Sequence, residues 1–161
     1  MIKNAPAVVK LMKPVPMCWS VRMLAVVGCV DNLQNSIARL GEWFEDRDTD
    51  PVLASLLLEY ARRRGGMSMI ELSCGSHGRF ARAASLQDII GWQRFMEGII
   101  SKEWVKVQRQ YYEVRGGRLR PQVWAQQLAM KLMEITHGQW LYWNVQVHDS
   151  TTGVLATQQK E

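Results

Sequence analysis

The stretch SKEWVKVQRQYYEV, residues 101–114, decides the fold class. Its apolar residues recur at helical spacing and predict one apolar face, formed by Trp104, Val107, Tyr111 and Val114. Its basic residues recur along another face, formed by Lys102, Lys106 and Arg109. The pair Gly116-Gly117 ends the pattern as a helix stop. The stretch therefore predicts an amphipathic helix.

The same spacing continues on the C-terminal side. Pro121 is suited to the first position of a helix, and the apolar stripe that follows it is Trp124, Leu128, Leu132 and Ile135. In residues 140–149, WLYWNVQVHD, alternation would suit a strand, whereas Trp140, Trp143 and Val147 would share a helix face. The helix is the favoured interpretation, and residues 149–153 are predicted to form a turn.

The N-terminal side has clear start and stop signals. Asp31 is predicted to cap a helix whose apolar stripe is Leu33, Ile37, Leu40 and Phe44. Asp50-Pro51 starts the next helix, which Gly65-Gly66 ends. The intervening acidic cluster is predicted to be a solvated loop: Glu45, Asp46, Asp48 and Asp50.

These patterns predict a mainly α fold, a compact multi-helix domain with irregular N-terminal and central Gly-rich segments. Residues 1–16 are an irregular lead-in, and residues 17–161 form one domain in two helical halves, 17–64 and 85–149. The halves are joined by 65–84, with a short strand at 67–72. A capping box at Ser85–Asp88 starts the second half, and its helix face is predicted to be Ile89, Trp92, Met96 and Ile99.

Composition restricts the class of protein. With 161 residues, 47% of them hydrophobic, the chain has enough apolar surface to fold, and no apolar run is long enough to span a bilayer. Three cysteines favour a reducing compartment, which is the basis for predicting an intracellular protein of the cytoplasm or nucleus. Among the seven Trp, the helical stripes place Trp92, Trp104 and Trp124 in the core.

The net charge of +5 is concentrated in one segment, since residues 102–120 hold six basic and two acidic residues. Basic side chains on a helix and its loop can bind phosphates, and an exposed tyrosine can stack on a base. We therefore predict a non-enzymatic, nucleic-acid-associated protein. The candidate contact residues are Lys102, Lys106, Arg109, Tyr112, Arg115, Arg118 and Arg120.

Two other functions remain open. Trp140 and Trp143 would bind a protein partner or a second copy if they are exposed. A hydrolase would use His137, His148 and Asp149, but no nucleophile motif accompanies them. Cys74-Gly-Ser-His77 has metal-ligand spacing without the second pair that a zinc site needs. The sequence thus favours a protein that is not an enzyme, with no metal and no cofactor.

Residues 85–161 also resemble a family. The resembling blocks are GWQRFMEG (91–98) and the stretch from Val123 onward, most specifically Thr136–Trp140, Asn144 and His148-Asp149. They are similar to dispersed, uncharacterised open reading frames of algae and other eukaryotes, some of which lie near reverse-transcriptase-like genes. Trp143 departs from the Arg of that pattern. The resemblance implies a mobile-element or repetitive origin and a chain truncated at its C-terminus, and it carries over no catalytic residue.

Overall fold

The computed structural model describes residues 28–158 except 77 and 118, with side chains up to residue 148. Within that part of the chain there are seven helices and no strand, so the mainly α-helical fold is confirmed. The lead-in at 1–16 and the apolar stretch at 17–27 lie outside the described residues. The helices are α1 (Cys29–Asp46), α2 (Pro51–Arg63), α3 (Met69–Ser73), α4 (Ala81–Ile90), α5 (Trp92–Met96), α6 (Lys102–Arg115) and α7 (Pro121–Gln158).

Local capping signals explain the helices that the sequence predicted best. The Asp50 carboxylate accepts hydrogen bonds from the backbone of Val52 (2.9 Å) and Leu53 (3.3 Å) at the start of α2. Ser101 caps α6 through the backbone N–H of Glu103 (3.3 Å), and α6 ends at Gly116 in the left-handed region. Helix α7 continues to Gln158, which confirms the helical interpretation of residues 140–149 and shows the predicted turn at 149–153 to be wrong.

The central segment is more ordered than predicted, because two helices occupy much of it. Helix α3 replaces the predicted strand, and α4 begins at Ala81 rather than at Ser85, whose side chain is exposed. Asp88 does not cap its own helix. Its carboxylate accepts the backbone N–H groups of Met69 (2.6 Å) and Ile70 (3.0 Å), so it caps α3 from a distance.

Other predicted positions are also corrected. Helix α1 begins at Cys29, so Asp31 lies in its first turn and is not its cap. The face predicted across α4 and α5 is interrupted at Gly91 (φ 87°), and Ile89 is 78% exposed. Val114 is 88% exposed, because the buried face of α6 passes through Gln108 and Tyr112 instead.

One hydrophobic core combines residues from both predicted halves. Helix α7 packs against α1 and α6, and it carries the buried stripe Trp124, Leu128, Leu132 and Ile135. Trp104 and Trp124 are fully buried, as predicted. Trp92 is only half-buried, and Trp43, which no pattern placed, is buried.

Two buried glutamines fix the loops between helices. Gln87 Oε1 accepts from the Ser101 backbone N–H (2.8 Å) and from Trp104 Nε1 (3.3 Å), which joins α4 to the start of α6. Gln108 accepts from the Asp50 backbone N–H (3.1 Å) and donates to the carbonyl of Asp48 (3.1 Å). Each glutamine side chain thereby satisfies backbone groups of a loop that would otherwise be buried without a hydrogen-bond partner.

None of the described helices combines the length and the hydropathy that a membrane crossing requires.

Candidate nucleic-acid interface

Three of the predicted contact residues share one exposed surface of α6. Lys102, Lys106 and Arg109 are all exposed, and their spacing of four and three residues aligns them along one side of the helix. We call these three residues the basic strip. The helical rise spreads it over about 10 Å of the helix axis.

The positive charge of the basic strip is partly neutralised at its centre. Glu103 Oε1 accepts from Lys106 Nζ (2.7 Å), and its other oxygen lies 3.6 Å from Nε of Arg82 on α4. The hydrogen bond from Lys106 lowers the pKa of Glu103, so this carboxylate is ionised at neutral pH. Lys102 and Arg109 have no acidic partner within 4 Å among the described residues.

Arg115 does not join the basic strip. Its position lies about 120–180° around the helix from the strip residues, and its Nε donates to the Tyr111 hydroxyl (3.1 Å). The same guanidinium lies 5.6 Å from the centre of the Tyr111 ring. The hydrogen bond with Tyr111 raises the pKa of Arg115. Arg115 and Tyr111 line a shallow cleft that also contains Asp48 and Glu45, so the local charge is mixed.

Tyr112 does not fit the role predicted for it. Its side chain is buried, and its hydroxyl donates to the Arg47 carbonyl (2.7 Å). Burial raises the pKa of this phenol, which therefore stays protonated at neutral pH. Gly117 packs so closely on the ring that a Cβ there would overlap Tyr112. The ring is held in the fold and cannot stack on a base.

The two remaining candidates are not brought to the basic strip. Arg120 is exposed just before α7, at the far end of α6 from Lys102, and the 14 residues of α6 between them span about 21 Å. Arg118 lies outside the described residues. Of the seven contact residues that the sequence predicted, the structure therefore aligns three along one side of α6.

Other arginines are engaged elsewhere. Arg62 and Arg63 pair with Glu59 on α2, at 3.6 and 2.6 Å. Arg79 pairs with the buried carboxylate of Asp50, which corrects the prediction that Asp50 belongs to a solvated acidic loop. Arg82 is different, because it lies beside Glu103 with 78% of its side chain exposed. The sequence offered Arg62, Arg63, Arg64, Arg79 and Arg82 as possible extensions of the basic surface, and Arg82 is the one that an ion pair places beside the basic strip within the described residues.

The candidate catalytic residues are far apart. His137 and His148 lie on the same continuous helix, about 16 Å apart along its axis. His137 stacks on Trp140, with ring centres 5.8 Å apart, and the side chain of Asp149 lies outside the described residues. Nothing in this geometry supports the hydrolase interpretation. The described residues contain no group of three metal-ligating side chains, and His77 lies outside them.

A second exposed surface runs along α7. Trp140 and Trp143, the predicted partner contacts, are only half-buried. The opposite side of the helix from the core carries four exposed apolar residues, of which the strand alternative included the last two: Met130 (57% exposed), Met133 (38%), Leu141 (47%) and Val145 (56%). Their helical spacing could have revealed this second apolar side, but the stripe of Trp124 already accounted for the helix.

Comparison with known proteins finds no matching family model, no similar curated protein and no similar solved structure. The resemblance of residues 85–161 to dispersed open reading frames therefore stays a prediction.

Proposed function

We propose that the protein binds double-stranded nucleic acid through the basic strip, without base-specific recognition and without catalysis. The observation that carries the proposal is the alignment of Lys102, Lys106 and Arg109, with two of the three lacking an acidic partner among the described residues. Cations at this spacing suit a run of phosphates along one strand.

The engagement of both α6 tyrosines within the described fold favours a duplex over a single strand. On α6, Tyr112 is buried and Tyr111 is engaged by Arg115, so neither ring lies open beside the basic strip. Proteins that hold single strands usually combine cations with such rings. Cations alone recognise the phosphate backbone, which gives affinity without sequence preference.

The test is the salt dependence of binding to a mixed-sequence duplex, measured by fluorescence anisotropy. Three phosphate contacts predict that log Kobs falls with log salt concentration at a slope of about −2.7. The double variant Lys102→Gln/Arg109→Gln should weaken binding and reduce the slope to about −0.9. Unchanged affinity in this variant, or no salt-sensitive binding by the wild type, would refute the proposal.

A matched control removes the same charge elsewhere. Arg39 is exposed on α1, and Arg63 forms an exposed ion pair on α2. The variant Arg39→Gln/Arg63→Gln lowers the net charge by the same two units but leaves the basic strip intact. It should keep the wild-type slope. An equal loss in both variants would indicate a response to net charge alone and would exclude the basic strip as the binding surface.

Self-association is a second candidate, favoured by the outer side of α7. Met130, Leu141 and Val145 are exposed there, and Gly138 lies between them with open space at its Cβ position. Glycine inside a helix costs about 1 kcal/mol relative to alanine, and its small size lets a second helix approach closely. Two copies of α7 crossing near Gly138 would cover these apolar residues.

Analytical ultracentrifugation tests this second candidate. Wild-type protein should show a concentration-dependent dimer, and Leu141→Lys/Val145→Lys should be monomeric at the same concentrations. The control Gln34→Lys/Asn35→Lys adds the same charge at exposed positions of α1 and should still dimerise. A wild-type monomer at all concentrations would reject the candidate.

Two further parts of the proposal concern the location of the protein in the cell and its origin. An intracellular, reducing location, the cytoplasm or nucleus, is supported by the free thiols of Cys29 and Cys74, the second of which is exposed. The mobile-element origin rests on the resemblance of residues 85–161 alone.

A further inference from the structure

A carboxylate lies between two exposed cations of the candidate nucleic-acid interface. Glu103 Oε1 accepts a hydrogen bond from Lys106 Nζ (2.7 Å), and Glu103 Oε2 lies 3.6 Å from Arg82 Nε. The Glu103 side chain is only 16% exposed, whereas those of Lys106 and Arg82 are 59% and 78% exposed. The two cations therefore face the solvent and are joined by a carboxylate that is largely covered.

The two cations belong to different helices, α4 and α6, which buried contacts join at this point. Gln87 of α4 accepts hydrogen bonds from the Ser101 backbone N–H (2.8 Å) and from Trp104 Nε1 (3.3 Å). Both donors lie within two residues of Glu103 in the sequence. The start of α6 is thus fixed against α4, and the pair of cations is positioned before any ligand arrives, which lowers the cost of binding.

A phosphate group suits this pair of cations as a carboxylate does. Both are anions whose oxygens accept hydrogen bonds from several cationic donors, and arginine binds either one with the same planar set of N–H groups. Exposed ion pairs stabilise a folded protein little, so the contacts of Glu103 with Lys106 and Arg82 can be exchanged for contacts with a phosphate at small cost. The Glu103 carboxylate therefore occupies a place that fits an anionic ligand.

We propose that Arg82 and Lys106 form one phosphate-binding site across α4 and α6, and that Glu103 competes with the nucleic-acid backbone for it. The inference rests on the proposed function, because the phosphate belongs to a bound duplex. Since the two cations share one phosphate, the number of phosphate contacts remains three. Lys102 and Arg109, which have no acidic partner within 4 Å among the described residues, bind without such competition.

Anisotropy titrations of a mixed-sequence duplex test the competition in four chains: the wild type, Glu103→Gln, Arg82→Gln and the double variant. Glu103→Gln should bind about 2- to 25-fold more tightly than the wild type, because it removes two exposed ion pairs, each of which corresponds to a factor of about 1.4 to 5. Arg82→Gln should weaken binding in both backgrounds. The loss should be larger in Glu103→Gln, where the guanidinium has no internal carboxylate to bind.

The size of the Arg82→Gln effect in the two backgrounds separates competition from net charge. If the charges act only through the overall field, Arg82→Gln costs the same factor whether or not residue 103 is charged. Under competition, Arg82→Gln in the wild type removes a contact with the phosphate and a contact with Glu103 together, and the two losses partly cancel. The cost should therefore be greater in Glu103→Gln by about 1.4- to 5-fold, the factor that corresponds to one exposed ion pair.

Glu113→Gln is the matched control. Glu113 is exposed on α6, one turn after Arg109, and no basic side chain lies within 4 Å of its carboxylate among the described residues. This variant changes the net charge by the same unit as Glu103→Gln. Arg82→Gln should cost the same factor in Glu113→Gln as in the wild type. All three substituted side chains lie outside the hydrophobic core.

Two results would overturn this inference while leaving the proposed function in place. The first is an equal cost of Arg82→Gln in the wild-type and Glu103→Gln backgrounds, and the second is a Glu103→Gln affinity no higher than that of the wild type. Absence of salt-sensitive binding in both the wild type and Glu103→Gln would refute the proposed function and the phosphate site with it. Salt-sensitive binding by Glu103→Gln alone would support the competition and refute the proposed function for the wild type.

Discussion

Replacement of Gln87 by Met should destabilise the protein only through the loss of hydrogen bonds. Gln87 is fully buried, and Met has a similar length and an apolar end, so Gln87→Met opens no large cavity. The change leaves two donors without an acceptor, the Ser101 backbone N–H and Trp104 Nε1. It also removes the bond from Gln87 Nε2 to the Ile99 carbonyl (3.3 Å).

The magnitude follows from these contacts. A buried donor left unpaired costs about 1–3 kcal/mol. The bond to Trp104 is long at 3.3 Å, so it belongs at the low end of that range. The carbonyl of Ile99 belongs to a residue that is 43% exposed, so water can replace its lost donor. Together the two donors predict a loss of about 3 kcal/mol in the free energy of unfolding.

Urea denaturation followed by circular dichroism measures this loss. With an m-value of about 2 kcal/mol/M, the midpoint should fall by about 1.5 M with the slope unchanged. The control is Gln110→Met on α6, where the glutamine is exposed, and it should change stability by less than about 0.5 kcal/mol. A Gln87→Met midpoint as close to the wild type as that of the control would refute the role assigned to Gln87.

The remaining predictions concern capping and pH. Asp88→Ala should lower the free energy of unfolding by about 1–2 kcal/mol, because it leaves the Met69 and Ile70 N–H groups of α3 without their acceptor, whereas Ser85→Ala should be nearly neutral. Equal effects of the two variants in urea denaturation would contradict the capping role of Asp88. Burial raises the pKa of Tyr60 to about 12, with a smaller contribution from Asp88. The unfolded chain therefore loses this proton first, so stability should be complete below about pH 10 and should fall from there towards pH 12. Tyr60→Phe should flatten this decline in unfolding measurements between about pH 9 and pH 12, and an unchanged slope would assign the decline to other groups.

The parts of the fold that the sequence predicted well have their signals within one helical turn. Asp50 and Pro51 adjoin the N–H groups that they serve, and Ser101 and Gly116 mark both ends of α6. Asp88 has the same chemistry, yet its partners are 18 and 19 residues away, so only the packed fold shows which helix it caps. Gln87 and Gln108 were missed for the same reason, because their burial depends on distant elements.

The candidate site shows the same difference between features set within one helix and features set by distant contacts. The spacing of Lys102, Lys106 and Arg109 is a property of one helix, and the sequence places them on one side. Arg115 is close to them in sequence, but the helix turns it to another side, where Tyr111 binds it. The burial of Tyr112 depends on Arg47, 65 residues away, which no local pattern reports.

The capping of α3 from a distance has a consequence for the order of folding. A helix of five residues is far shorter than the 12–15 or so that are marginally stable alone in water. Two of its free N–H groups are satisfied only after α4 has brought Asp88 alongside. We therefore expect helix α3 to form together with the docking of α4 rather than before it. The same dependence makes it one of the first parts of the described chain to open, with early exchange of its amide hydrogens.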